Sequence, residues 1–378
     1  MKFIHLSDLH LGKRVNEFSM LEDQKYILTE IINIIDDEQP DGVIIAGDVY
    51  DKSVPSAEAV SLFDDFLCKL SEHGLQTFII SGNHDSPERI AFGSRLMSSS
   101  GIHISPVYDG NITPVSMNDI YGTVHIYMLP FIKPVHVRSI FPEEPAESYT
   151  EALNTAISHM DINETERNIL VTHQFVTGAA RSDSEEISVG GSDNVDPDVF
   201  SKFDYTALGH IHRPQNVGGE NIRYSGTPLK YSFSEAGHRK SVTVVELAEK
   251  GSLTVREIPL IPRHDMREIK GTYMELTAKS FYERTATDDY IHVTLTDEED
   301  IPDAVSKLRV IYPNLMKLDY DNRRTRNTTQ IDFSEAIEQK SPIELFSEFY
   351  EMQNGQLMNS EQSEFIEELI KKIWNGEK

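Results

Sequence analysis

The chain has 378 residues and 39% hydrophobic content, enough for one large packed domain with one or two small ones and too apolar for a disordered polymer. No run approaches the ~20 apolar residues of a membrane span, the N-terminal stretch lacks a signal-peptide core, and Cys68, the only cysteine, excludes an intramolecular disulfide and a zinc–thiolate cage. The formal charge of −27 argues against a protein that holds nucleic acid through Lys and Arg alone, and the cytoplasm is the expected compartment.

Residues 2–7 alternate and predict a strand, and Leu21, Ile27, Ile31, Ile34 and Ile35 recur at helical spacing through 20–38. GVIIAGD (42–48) has the continuous apolar run of a buried strand. Ser56, after Pro55, predicts the N-cap of a helix to about residue 72, with Cys68 expected as a buried helical thiol. TFIISGNHD (77–85), NILVTHQ (168–174) and YTALGHIH (205–212) repeat the strand-then-polar-loop pattern, so strands alternating with helices imply an α/β core. From about 220 to 258 the pattern is strand-only. Pro259 and Pro262 bracket a linker, and 263–331 predicts a small α+β domain with strands at YMELTA and DYIHVTL and a helix around 302–311. Residues 335–352 and 360–374 predict two amphipathic helices around an Asn-Gly turn, preceded by DNRRTRNTTQ as a linker; Ser341 starts the first helix and Ser360 caps the second.

The chemistry lies where the apolar runs end. Asp8 and His10, Asp48, Asn83 and His84, His173, and His210 and His212 each follow a buried-looking strand, and in open α/β sheets ligands bind at the carboxyl ends of strands. In extended backbone, residues i and i+2 point to one side, which makes Asp8-Leu9-His10 and His210-Ile211-His212 two-point clamps with Leu9 and Ile211 facing the interior. Mixed carboxylate, imidazole and amide donors suit manganese, iron or zinc better than magnesium or calcium. Seven candidate ligands exceed the need of one ion with open positions, so two divalent ions are indicated, with Asp48 as the bridge. One ion would take Asp8, His10, Asp48 and His212; the other, Asp48, Asn83, His173 and His210. A single His or Asp at a strand end is ordinarily a cap or a satisfied polar group, but the ordered set DxH…GDxxD…GNHD…H…GHxH is poorly explained by chance.

That set resembles the calcineurin-like metallophosphoesterase superfamily over residues 1–258. SDLHLG, GDVYDKSVPS, GNHDSPER, GHIHRPQ and YSGTPLKYSFSE further resemble the SbcD family, the bacterial counterpart of the eukaryotic double-strand-break repair nuclease. The resemblance implies a four-layer α-β-β-α sandwich (1–258), a small α+β capping domain (263–331) facing DNA and a helical tail (335–378) docking on a partner, the ATPase SbcC. It also implies two Mn²⁺ ions and cleavage of double-stranded ends, hairpins and single strands in DNA repair and recombination, with no membrane and with localisation at the nucleoid. By resemblance His84 donates a proton to the leaving oxygen while Asp85 holds its ring, and a hydroxide on a metal attacks, since bound metal lowers the pKa of water toward ~7. Some relatives carry His where Asp51 stands, so Asp51 would orient a ligand or water. The helices at 56–72 and 87–98, with Leu62, Leu96 and Met97, would pair two subunits into a homodimer within a heterotetramer.

Arg89 and Arg213 follow GNHD and GHIH where a phosphate would sit, and ordinary surface ion pairs compete with that role. Arg323, Arg324 and Arg326 form the densest basic cluster, for a DNA backbone or a solvated face, and the 178–193 loop would border the site. A small-molecule phosphoesterase accounts for the acidic charge but not for residues 263–378. A catalytically inactive scaffold is at odds with the intact ligand set and His84.

Overall fold

The computed structural model describes residues 1–182, 185, 193–328, 341–354 and 357–375, and the chain divides into two compact units, Met1–Met266 and Arg267–Lys378. The first unit carries two six-stranded sheets. One runs Leu253–Pro259, Ser241–Leu247, Lys2–Leu6, Gly42–Ala46, Gln76–Ile80, Ile102–Ile104; the other runs Gln215–Val217, Gly219–Tyr224, Tyr205–Gly209, Arg167–His173, Gly122–Leu129, Val115–Asp119. The central strands of both are parallel, with Leu6 opposite Ile45, Ala46 opposite Ile80 and Gly209 opposite His173. Their carboxyl ends therefore align within each sheet.

Side-chain alternation builds the layers. Phe3, Ile44, Ala46, Phe78 and Ile80 of the first sheet meet Val124, Ile126, Ile169, Val171 and Ala207 of the second in one dry core. The alternate residues Ile4, Val43, Ile45 and Ile79 are fully buried on the opposite face. Helices Leu21–Glu38 and Ala57–Glu72 are the crossovers that parallel pairing requires there. On the far side of the second sheet, Tyr127, Leu129, Leu170 and Leu208 pack against Ala152, Leu153, Ala156 and Ile157 of helix Tyr149–Ser158. The result is the expected helix–sheet–sheet–helix sandwich. Ser56 caps Ala57–Glu72 by accepting the Ala59 N–H at 3.3 Å. Cys68 is exposed, contrary to expectation: Phe63, Phe66, Leu67 and Leu70 occupy the buried stripe of that helix, and position 68 falls on the opposite side.

The second unit has a three-stranded sheet in the order Met266–Gly271, Tyr290–Leu295, Leu315–Tyr320, with Leu276, Ile291, Val293, Leu295, Leu308 and Leu315 in its core. Three expectations fail here. YMEL is a helical turn, Tyr273–Leu276, because Thr272 and Glu275 form a capping box. Residues 323–328 of the expected linker are helical, Arg323–Thr328, and the Arg323 and Arg324 side chains pair with Glu298 and Asp300. The second tail helix, Ser360–Asn375, is capped by Asn359 and Gln362, whose side chains take each other's backbone N–H at 2.9 and 3.0 Å; the cap lies one residue before Ser360. Ser341 does start the first tail helix, Pro342–Asn354. The expected stretch 335–340, Gly355 of the Asn-Gly turn and the Arg326 side chain lie outside the described residues.

At the end of the sandwich away from the aligned carboxyl ends, Arg167 is 2% exposed and ties the sheets together. Its guanidinium donates to Asp119, to Gly122 O at 2.7 Å, and across the core to Leu247 O at 3.2 Å and Ala248 O at 2.8 Å. Arg167→Met should destabilise the protein by about 3 kcal/mol, the low end for breaking a buried pair because Asp119 keeps some water contact. Urea unfolding should show a lower midpoint with an unchanged slope, and metal content should stay at the wild-type level.

Candidate metal centre

Eight of the polar residues singled out above converge on one rim between the sheets, each delivered by a strand end. Lys2–Leu6 leads to Asp8 and His10, Gly42–Ala46 to Asp48, and Gln76–Ile80 to Asn83 and His84; His173 ends its strand, and Tyr205–Gly209 leads to His210 and His212. The two clamps are not extended backbone, as strand alternation would have it. Asp8 (φ 53°), His10 (φ 45°), Asp48 (φ 49°) and His210 (φ 104°) all lie at positive φ, a conformation costing about 1–2 kcal/mol in a non-glycine residue. Hydrogen bonds offset that cost: Asp8 N donates to Gly47 O at 3.0 Å, His10 N to Asp48 O at 2.9 Å, and the Asp8 carboxylate accepts the His210 N–H at 3.0 Å. Leu9 and Ile211 do point into the core.

Two glycines permit the close approach. A Cβ at Gly82 would stand 2.1 Å from Asp48 Oδ1, and one at Gly209 would stand 1.9 Å from Ala46 O. Ala46 O also accepts the His173 Nδ1 proton at 2.8 Å, a bond that crosses from one sheet to the other. With Nδ1 engaged there, Nε2 is the ring nitrogen turned to the rim.

Asp48 Oδ2 is the common point. It lies 3.4 Å from His173 Nε2, 3.7 Å from His10 Nε2 and 4.0 Å from His84 Nε2. On one side His10 Nε2 and His212 Nε2 face each other at 3.2 Å, about the span of two nitrogens bound at ~2.1 Å to one ion. Asp8 groups with both of them. On the other side Asn83 Oδ1 lies 2.9 Å from His173 Nε2 and 3.0 Å from His210 Nδ1. Asp8, His10, Asp48, His173, His210 and His212 are all buried, and His10 Nδ1 has no hydrogen-bond partner among the described residues. This donor set fits divalent cations.

Charge within the cluster is unevenly held. Burial raises the Asp8 carboxyl above its usual range, with His173 pulling against it. Burial also disfavours the Asp48 anion, but the facing His173 overrides it and holds Asp48 ionised. His173, although buried, is raised to about 9 by Asp48, whereas burial drives His210 to about 3 and His10 well below its ordinary value. The strongest attraction within the cluster is thus between Asp48 and His173, at the rim where a cation would sit.

His84 is half-buried, and its Nδ1 lies 3.1 Å from the Asp51 carbonyl oxygen, to which it donates. Its Nε2 is the most distant of the three imidazole nitrogens around Asp48, at 4.0 Å, and with His10 and Asp48 it forms a third group that could hold an ion. Asp85 does not hold the His84 ring. Its carboxylate accepts the backbone N–H of Val49, Tyr50 and Gly82 at 3.1, 2.9 and 2.9 Å and so braces the two loops that carry Asp48 and Asn83. Asp51 stands behind His10, 3.9 Å from its Nδ1, and is anchored by Lys13 at 2.6 Å. Arg89 and Arg213 are exposed and carry no ion pair among the described residues. Of the 178–193 loop, 183, 184 and 186–192 lie outside the described residues; Glu185 accepts the His212 N–H at 2.8 Å. Sequence reasoning missed Glu235, which accepts from His212 Nδ1, and Gln24 and Tyr231, which hold the backbone oxygens of His10 and Leu9. Glu235 and Tyr231 stand in the YSGTPLKYSFSE string, where only their polarity within a packed loop could have marked them. A cleft of about 130 Å³ opens beside Asn83 and His210, walled by Phe131, Phe175 and Tyr149, with Lys133 over Phe131 and Arg181 over Phe175.

Residues 1–214 match the family described as calcineurin-like phosphoesterase, and residues 262–354 match one described as type 5 capsule protein repressor C-terminal domain. The chain is 33% identical over 384 aligned residues to the SbcD component of the nuclease SbcCD of Staphylococcus epidermidis, covering 100% of each. It is 34% identical to the protein of the same name from Staphylococcus saprophyticus, covering 98% of each. A solved dimetal phosphatase from Danio rerio aligns over 69% of this chain and 96% of its own at 12% identity, with a TM-score of 0.43.

Because Asp48 is shared by both halves of the cluster, Asp48→Ala should bind neither ion at concentrations that saturate the wild type, whereas His10→Ala should lose one. Elemental analysis after desalting decides the matter, and full occupancy in Asp48→Ala would remove the bridge.

Proposed function

The chain belongs to the SbcD family of calcineurin-like phosphoesterases, and from that membership we propose that it is the metal-dependent DNA nuclease component of an SbcCD complex. It cleaves phosphodiester bonds at double-stranded ends and hairpins and within single strands, in the cytoplasm at the nucleoid, in DNA repair, recombination and replication. The observation that carries the reading is a cluster of buried Asp and His side chains gathered around one carboxylate oxygen of Asp48. Asp8, His10, Asp48 and His212 hold one Mn²⁺, and Asp48, Asn83, His173 and His210 hold the other. When bound, the two ions supply Lewis acidity at the phosphate and a water of lowered pKa.

The side chains do the rest. Asn83 and His210 border the cleft and set the phosphate against the cluster. His84 is fixed through Nδ1 to Asp51 O, so its Nε2 faces the leaving oxygen and gives it a proton. Asp85 keeps the two loops in register, and Asp51, anchored by Lys13, orients His10. Lys133, Arg89 and Arg213 give the substrate positive groups in a chain whose net charge is −27, while Arg181 is paired with Asp193 at the cleft.

The capping domain (263–331) faces DNA, and the tail (335–378) docks on the ATPase SbcC. Exposed Phe346, Phe349, Phe365 and Leu369 on the tail helices support docking, since apolar side chains left in water mark a surface that a partner covers. Phe92 and Leu96, 84% and 81% exposed beside GNHD, support a twofold homodimer within a heterotetramer, with the half-buried Leu62 and Met97 beside them.

With end-labelled hairpin DNA and Mn²⁺, the purified chain should cut DNA faster than it hydrolyses a small phosphodiester; the reverse order would favour a small ester as the substrate. His84→Ser should retain both ions and its affinity for DNA while turnover falls by ~10²–10⁴-fold, and loss of an ion would make His84 a ligand. Deleting residues 335–378 should leave a folded, Mn²⁺-dependent nuclease that no longer copurifies with SbcC. Undiminished complex formation would assign the tail to the core.

A further inference from the structure

The two halves of the cluster differ in what stands behind their imidazoles. His212 Nδ1 donates to Glu235 Oε1 at 3.3 Å, and Glu235 Oε2 in turn takes the Lys240 ammonium at 2.5 Å. Lys240 also donates to the backbone oxygen of His212 at 2.8 Å and to Thr227 Oγ1 at 2.6 Å. Glu235 is 0% and Lys240 5% exposed, so both charges are withdrawn from water. Behind the facing imidazole, His10, a second carboxylate–lysine pair, Asp51 with Lys13, stands 3.9 Å from Nδ1, beyond hydrogen-bond reach. Among the described residues the other half has no such backing: His173 Nδ1 donates to the neutral carbonyl of Ala46, and the nitrogen that His210 turns to Asn83 is the one on the ion's side, with no carboxylate hydrogen-bonded behind the ring.

A buried Glu–Lys pair is a poor source of stability, because desolvation of both charges consumes most of their attraction. Its third contact accounts for it better. A carboxylate on the far nitrogen of a ligating imidazole fixes the tautomer and ring orientation and raises the basicity of the near nitrogen. Resting on the two-ion reading above, we infer that Glu235, held in place by Lys240, is a positioning residue that makes the Asp8–His10–His212 position the tighter of the two metal positions. Glu235 fixes His212 with Nε2 as a lone pair toward His10 Nε2 at 3.2 Å, while the Asn83–His173–His210 position, whose imidazoles have no carboxylate hydrogen-bonded behind them, exchanges its ion more readily.

The test is a stepwise addition of MnCl2 to the metal-free full-length protein, with free Mn²⁺ followed by its electron paramagnetic resonance signal. The wild type should bind two ions in two separate steps. Glu235→Gln should weaken the first by about 10–100-fold and leave the second unchanged. Because Glu235→Gln leaves Lys240 without its anion and could fail to fold, the double variant Glu235→Gln/Lys240→Met, which removes both charges, is measured beside it and should show the same selective loss. Equal weakening of both steps would mean a merely structural role, and unchanged binding would mean no role at all; either overturns the proposal. A wild type that binds a single ion would overturn the two-ion reading beneath it, an outcome distinguishable because it appears before any substitution is made.

Discussion

Asp8 and Asp48 are carboxylates with almost no contact with water, and a carboxylate in that position persists only beside positive charge or N–H donors. The fold supplies both. Backbone N–H groups of His84 and His210 point at the two carboxylates, and imidazoles from both sheets close around them. His173 is the imidazole nearest Asp48 and is itself tied across the core to Ala46 O. Displacing either sheet by about an ångström would break that bond and strand a buried anion, so the packing between the sheets and the electrostatics of the rim are one constraint.

This constraint explains where the molecule accepts local cost. Four residues of the cluster lie at positive φ although none is glycine, and the glycines that matter are those whose Cβ would strike Asp48 or Ala46 O. Asp85 has the complementary part. Among the described residues its carboxylate pairs with no imidazole, and by accepting three N–H groups from the Asp48 and GNHD loops it lets both turns keep that geometry. Burial raises its own carboxyl to about 6, with Asp48 adding to the shift. The rim is thus built from backbone as much as from side chains.

Away from the rim, the acidic surplus of the chain is handled locally. Lys133 and Arg181 lie over Phe131 and Phe175 at the cleft, pairing cations with apolar faces that a stacking ligand also favours. Arg181 is also paired with Asp193, and Arg323 and Arg324 with Glu298 and Asp300, so among these cations the acidic surplus is met by local ion pairs.

Strand and helix order through residue 258, the Ser56 cap and the grouping of Asp8, His10, Asp48, Asn83, His84, His173, His210 and His212 were legible in the sequence. Apolar runs that end in polar residues have one favourable arrangement in a parallel sheet, with the runs buried and their ends on one edge. Period and composition failed where a local hydrogen bond outweighs them. The Thr272–Glu275 box makes a helix of YMEL, the Asn359–Gln362 box starts the last helix one residue early, and Cys68 leaves the core by falling off a stripe already filled. What only the tertiary structure decided is which groups stand behind the ligating atoms. The clamps come from left-handed turns and not from strand alternation, His84 is held by a carbonyl and not by Asp85, and Glu235 reaches His212 from 23 residues away in sequence. Those contacts depend on loop paths folding back over the rim, and no spacing along the chain records them.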